Sequence, residues 1–172
     1  MNHVIEGTVW RCGDGITTYQ IIPQKRWMLG AVDAEELGKW AFEGVWDELR
    51  DQPYAFRDRG YEIVVAGHNF GGGGKSIEHP VAAMQGAGVR LTLAESISRY
   101  NFRNSINRGL PAIACPGIGA LFATGDRLRA DLLVGEIRNL TTGAQAAFEP
   151  FPDLILRFLG AGGMLRYYDE ND

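Results

Sequence analysis

The stretch Gly67-His68-Asn69-Phe70-Gly71-Gly72-Gly73-Gly74-Lys75-Ser76-Ile77-Glu78-His79-Pro80 joins a β-branched run, Tyr61–Ala66, to a segment with helical spacing, Ile77–Gln85. The run is short and mostly apolar, which predicts a strand buried on both faces. A turn from such a strand into a helix presents backbone N–H groups with the helix dipole behind them, and both favour an anion. Glycine lets the backbone approach a ligand closely and take positive φ, at a cost in chain entropy. Four in a row, Gly71, Gly72, Gly73 and Gly74, point to a carboxylate or phosphate cradle, the alternative being a flexible connector. The ending Gly74-Lys75-Ser76 does not make a nucleotide-binding P-loop, because Asn69 stands where that motif requires its first glycine.

Outward from this loop the pattern continues. Val89–Ala94 and Leu110–Ala114 read as further strands, with a helix over Ser98–Arg108 between them, stopped by Gly109. On the N-terminal side His3–Trp10 reads as a strand, followed by the turn Gly13-Asp14-Gly15 and an apolar run to Pro23. Asp33 and Glu36 have capping-box spacing for a helix along which Leu37, Trp40, Ala41, Val45 and Trp46 recur. Arg50–Gly60 reads as a loop. Towards the C-terminus Arg129–Val134, Glu136–Leu140 and Gln145–Phe148 read as strands, the last two joined by the hairpin Thr141-Thr142-Gly143. Pro150–Leu159 reads as a final amphipathic helix, and Tyr168–Asp172 as a loose polar tail. Alternating strands and helices predict an α/β fold of three layers, with a mostly parallel sheet and a C-terminal β-ribbon, in one domain over residues 1–172.

Composition bounds the function. The 172 residues are 45% hydrophobic and 22% charged, an ordinary globular mixture, and the net charge of -4 with no basic stretch argues against nucleic acid. No apolar run approaches the length a bilayer requires, and the N-terminus lacks a secretory pattern, so the expected location is cytoplasmic. The two cysteines, Cys12 and Cys115, are expected to be free thiols, and two thiolates cannot carry an iron–sulfur cluster. No His, Asp and Cys cluster has metal-ligand spacing, so no metal is assigned to this chain.

The glycine loop resembles the N-F-G-x-G-S-S-R-E-H signature of aconitase-type swivel domains, especially the small subunits of 3-isopropylmalate dehydratases, with Asn69-Phe70-Gly71, Glu78 and His79 in matching places. Three other segments resemble that family in the same order. Gly13-Asp14-Gly15-Ile16-Thr17-Thr18-Tyr19-Gln20-Ile21-Ile22-Pro23 is similar to its G-D-N-I-D-T-D-Q-I-I-P, and Arg103 to Pro111 is similar to its R-N-x-x-N-x-G-L-P. The third runs from Gly125-Asp126 through Asn139-Leu140-Thr141-Thr142-Gly143 to Phe148-Glu149-Pro150. The resemblance implies a swivel fold and a hydro-lyase that moves a hydroxyl between adjacent carbons of a 2-hydroxy di-acid such as 3-isopropylmalate. It implies a large-subunit partner that bears a 4Fe–4S cluster, this chain binding no cofactor itself.

The departures from the family bear on the chemistry. Counting back from Glu78-His79, the family's base serine, second serine and arginine fall on Lys75, Ser76 and Ile77, and the loop is one glycine longer. Lys75 and Ser76 are the candidate catalytic residues; Lys75 can act as a base in a dry site, as an anion ligand, or as a bystander. Gly71 to Gly74, Arg11 and Trp27 are the candidate substrate-binding residues. Arg11 can assist a carboxylate or lie on the surface, and Trp27 and Met28, in the stretch Gln24 to Gly30, can line an apolar pocket or belong to the core. Asn69, Glu78 and His79 are expected to support the loop, an acid–base role for the last two being the alternative. Asn104 and Asn107 are expected to cap, and Trp40, Phe42 and Trp46 to face the partner or fill the core. The altered loop also leaves room for a paralogue acting on homoaconitate, citraconate or dimethylmalate, or for a non-catalytic anion-binding module.

Overall fold

Val4–Arg11 forms strand β1, whose alternation sends Ile5 and Val9 to one face of the sheet and Trp10 to the other. The computed structural model describes residues 3–28 and 33–170. Two short helices follow, α1 (Thr18–Ile21) and α2 (Gln24–Trp27), then α3 (Ala34–Gly38). Next come β2 (Ile63–Ala66), α4 (His79–Gly86), β3 (Leu91–Ala94), α5 (Arg99–Asn107) and β4 (Ala112–Ala114). The chain ends with β5 (Arg127–Asp131), β6 (Glu136–Asn139), β7 (Gln145–Ala147), α6 (Asp153–Ala161) and α7 (Met164–Asp169).

The sheet runs β4-β3-β2-β1-β5-β6-β7. β1 to β4 pair in parallel; β5, β6 and β7 extend the β1 edge antiparallel, so the C-terminal ribbon is the second half of one mixed sheet. Every residue of β2 and β3 is buried, as strands covered on both faces must be. One face packs on α1, α3, α4 and the turns up to residue 61; the other packs on residues 115–122 and α6. The fold is therefore α/β in three layers, as expected.

Several boundaries differ from the sequence reading. Asp33 does cap α3, accepting from the Glu36 amide, but the helix stops at Gly38. Phe42 has φ 61, a left-handed backbone that ends any helix. The apolar spacing through Trp46 comes instead from an aromatic cluster: Trp10 meets Phe42, Trp46 and Phe56 with ring centroids at 4.6, 4.8 and 5.0 Å. Trp10 and Phe42 are fully buried, which places this group in the core rather than on a partner-facing surface. The apolar run before Pro23 contains α1, where Thr17 and Gln20 cap reciprocally. Helix α4 starts at His79, two residues later than expected, because Pro80 fits its first turn without needing an amide partner. Tyr168 is not in a loose tail: it sits in α7 against Phe158, while Asn171 and Asp172 lie outside the described residues.

Two devices fix what the site stands on. Phe70, fully buried, donates to and accepts from the segment after β3 (Phe70 N to Ser96 O, Ser98 N to Phe70 O, both 3.0 Å). On the other side Gly71 N donates to Ile16 O at 2.7 Å, and Gly72 bridges to Thr17. The base of the glycine loop is thus held like an extra strand. The second device anchors α2. Glu43, 2% exposed, accepts from Arg26 Nε and Nη2, both at 2.8 Å, and from the Asp51 amide at 3.0 Å, with Lys25 at 2.9 Å. Arg26 also stacks over Trp40, its guanidinium carbon 3.4 Å from the ring centroid.

Burial raises the Glu43 carboxyl, but the hydrogen bonds from Arg26, Lys25 and the Asp51 amide outweigh it and bring the pKa down to about 2. A depressed carboxylate pKa stabilises the fold above its unfolded value, and the gain disappears as pH falls through the folded value. Unfolding free energies from urea titrations should therefore drop between pH 4.5 and about 2, by about 3 kcal/mol at ~1.4 kcal/mol per unit, and Glu43→Gln should flatten that slope. A second prediction concerns the loop base: Gly71 has φ 71, and a Cβ there would overlap Asn101. Gly71→Ala should cost about 2 kcal/mol or more in thermal or urea unfolding; an unchanged midpoint would show that the loop base yields freely.

Candidate active site

The carboxyl ends of parallel strands are where an open α/β sheet offers its crevices. Here the loop after β2 and the first turn of α5, which follows β3, enclose a cleft of about 610 Å³. Asn69, Gly71, Gly72, Gly73, Gly74 and Lys75 form one wall, and Ser98, Arg99, Tyr100 and Arg103 the other. Ser98 ties the walls together: its hydroxyl donates to Gly71 O at 2.9 Å and accepts the Asn101 amide at 3.3 Å as the cap of α5.

The four glycines divide into two pairs. Gly71 and Gly72 are buried and donate their amides to Ile16 O and Asn69 O. Gly73 and Gly74 are exposed, and their amides have no acceptor among the described residues. Only these last two amides are open to a ligand. They stand several residues ahead of α4, so the helix dipole contributes less than the sequence reading supposed, since it falls off within the first turn. Gly73 has φ 63, and a Cβ on Gly74 would overlap the Thr18 hydroxyl, so glycine is required at both for different reasons.

The far end of the arch is held as firmly as its base. Asn104 Nδ2 donates to Ile77 O at 2.9 Å, a tie from α5 rather than a helix cap, and Glu78 pairs with Arg108 at 3.3 Å. Asn69 takes φ 56 and accepts the Gly72 amide, which places it under the loop. His79 is half-buried against Trp27, ring centroids 5.3 Å apart. Burial pushes the His79 imidazole below its usual range, with Arg108 adding to this and Glu78 opposing it, so the ring is neutral near pH 7. Glu78 is committed to Arg108 rather than to His79.

Lys75 reaches the cleft, its ammonium 5.9 Å from the centroid of the Trp27 ring. Ser76 is exposed and is not among the residues lining the cleft. Trp27 is half-buried beside the loop, whereas its neighbour Met28 is 65% exposed; Leu29 and Gly30 lie outside the described residues. Arg11 does not join the glycines. It lines a separate groove of about 350 Å³ with Asp14, His68 and Glu95, at the ends of β1, β2 and β3. His68 there receives Asp14, whose carboxylate accepts the His68 amide at 2.7 Å.

Sequence reasoning passed over Arg99, Tyr100 and Ser98. Arg103 stands at the head of the segment Arg103 to Pro111, whose pattern marks no role for it. Arg99 and Arg103 are one helical turn apart on α5, a spacing that puts both on one face and that was readable once the helix was assigned. With Lys75 they make three cations on a lining that contains no carboxylate, in a chain of net charge -4.

Residues 32–116 match the model of the aconitase C-terminal domain. The chain is 39% identical over 165 residues to the 3-isopropylmalate dehydratase small subunit 1 of Methanopyrus kandleri, covering 96% of this chain and 92% of that protein. It is also 39% identical over 168 residues to the methanogen homoaconitase small subunit of Methanothermobacter thermautotrophicus, covering 98% and 92%. The crystal structure of 3-isopropylmalate dehydratase from Methanocaldococcus jannaschii superposes with a TM-score of 0.82 at 29% identity, over 98% of this chain and 95% of that one. With a mixed sheet, a glycine arch and near-full-length likeness all in agreement, the chain belongs to the aconitase-type family of 3-isopropylmalate dehydratase small subunits.

Proposed function

We propose that the chain is the small subunit of a heteromeric hydro-lyase, acting in the cytoplasm as one swivel domain over residues 1–172 on a 2-hydroxy di-acid such as 3-isopropylmalate. The observation that carries this reading is the cleft with three cations, two open amides and no carboxylate on its lining. Such a surface concentrates and holds carboxylates, and relatives named as small subunits are 39% identical over nearly the whole chain.

The partner large subunit would hold a 4Fe–4S cluster, which supplies Lewis-acid polarisation of the departing hydroxyl when bound. This chain's residues do not fit that group. It has two thiols, fewer than the three or four a cluster takes, and burial pushes Cys12 up to about 12, away from thiolate. Among the described residues no three His, Cys, Asp or Glu side chains could hold a metal ion.

The work left to this chain is proton transfer and anion binding. A proton next to a carboxylate is weakly acidic, so a base and charge stabilisation must be placed beforehand. Lys75 is the titratable side chain of the loop that lines the cleft, and we assign it the proton transfer; Ser76 is not among the lining residues. The open amides of Gly73 and Gly74 suit the carboxylate on which negative charge grows, while Trp27 lies near the Lys75 ammonium without lining the cleft.

The test is co-expression with the large subunit, anaerobic reconstitution, and assay of 3-isopropylmalate and homoaconitate. Lys75→Ala should lower kcat by ~10² or more, and Lys75→Arg should do the same because a guanidinium keeps its proton, while Ser76→Ala stays within about twofold. Full turnover in Lys75→Arg would make Lys75 an anion ligand only. A wild-type complex that converts neither acid nor any related di-acid would remove the hydro-lyase assignment.

A further inference from the structure

We propose that Arg99 and Arg103, on the α5 wall of the cleft, form a second carboxylate grip that makes the site selective for dicarboxylates over monocarboxylates. The inference rests on the hydro-lyase reading for its substrate class and on the cleft's own geometry for everything else.

Seven of the fourteen arginines pair with acids among the described residues, among them Arg26 with Glu43, Arg90 with Glu62, Arg108 with Glu78 and Arg129 with Glu6. Arg99 and Arg103 have neither an ion pair nor a hydrogen bond among the described residues, and both are exposed. They are four residues apart on one helix, where like charges repel and weaken the helix. An acid at either position would relieve that repulsion, yet the lining of the cleft contains none. An anion seated between them removes the repulsion and forms charge-assisted hydrogen bonds to two guanidinium forks.

The walls are set apart by structure. Ser98 joins α5 to Gly71, and buried Asn101 packs against the same glycine, so the first turn of α5 keeps a fixed position relative to the arch. The Gly73 and Gly74 amides therefore hold one end of a ligand, and Arg99 and Arg103 face the other across a cleft of about 610 Å³, ample for a branched di-acid. Anion-binding groups on both walls call for two separated negative charges, which a monocarboxylate does not have.

The experiment uses succinate and butyrate, a saturated di-acid and the mono-acid of equal length, neither of which carries a hydroxyl to eliminate. Each is titrated by calorimetry into the reconstituted complex and into the chain alone, with wild type, Arg99→Gln, Arg103→Gln and the double variant. Wild type should bind succinate at least tenfold more tightly than butyrate. The double variant should lose about tenfold or more in succinate affinity while butyrate changes by less than about twofold. Both residues are exposed and unpaired, so melting temperatures should stay at the wild-type value, and Arg103→Lys in the Arg99 background should retain most of the succinate preference. Equal affinity for the two acids in wild type, or unchanged succinate binding in the double variant, overturns the proposal. So does weakened subunit association with succinate binding intact, which would assign the arginines to the partner. Because the readout is binding, an inactive wild-type complex with a clear succinate preference defeats the hydro-lyase reading and leaves this one standing.

Discussion

The structure depends on a loop that is pinned at both ends and free in the middle. Phe70 is locked between the segment after β3 and, through Gly71 and Gly72, the segment after β1. Asn104 and Arg108 of α5 hold Ile77 and Glu78 at the other end. What remains is a four-residue arch, 73–76, whose exposed amides are placed without being consumed. Backbone N–H groups are rarely left unpaired inside a fold, because desolvating them costs as much as a lost hydrogen bond. Leaving two of them at a crevice mouth is compatible with stability since water satisfies them until a ligand does.

That arrangement explains why the glycines cannot be read as one tract. The first two are structural, one for its positive φ and its contact with Asn101, the other for closeness to Asn69. The last two serve the arch. A chain with four interchangeable glycines would have a floppy connector; this one has two glycines in a β-like clamp and two in an open turn. The same division limits what the arch can borrow from α4, which begins only at His79.

Much of the architecture was legible in the sequence because it rests on local rules. The buried β-branched run at β2, the stop at Gly109 with φ 77, and the hairpin at Thr141-Thr142-Gly143 follow from periodicity and turn chemistry. The helix expected through Trp46 failed because apolar residues at helical spacing also suit an irregular segment wrapped around a large aromatic, here Trp10. The loop stood out by its glycines, but that Lys75 lines the cleft and its neighbour Ser76 does not depends on how the arch is folded. Arg11 was drawn to the site by its place after β1, but tertiary packing gave it a neighbouring groove with Glu95. Arg99 and Arg103 were overlooked because nothing local marks a helix face as cleft-facing; that depends on which strand the helix follows and on the Ser98 tie.

The buried Glu43–Arg26 anchor and the exposed cations of the cleft answer to ionic strength differently. Dissolved ions screen exposed charges over a Debye length of about 8 Å at physiological strength and act much less on buried pairs. Salt therefore weakens the attraction between Lys75, Arg99, Arg103 and an incoming anion, while the helix that carries Trp27 stays moored to a carboxylate that solvent scarcely touches. Capture is tuned by the medium and shape is not, so a drop in anion affinity with added electrolyte would leave Trp27 where it stands.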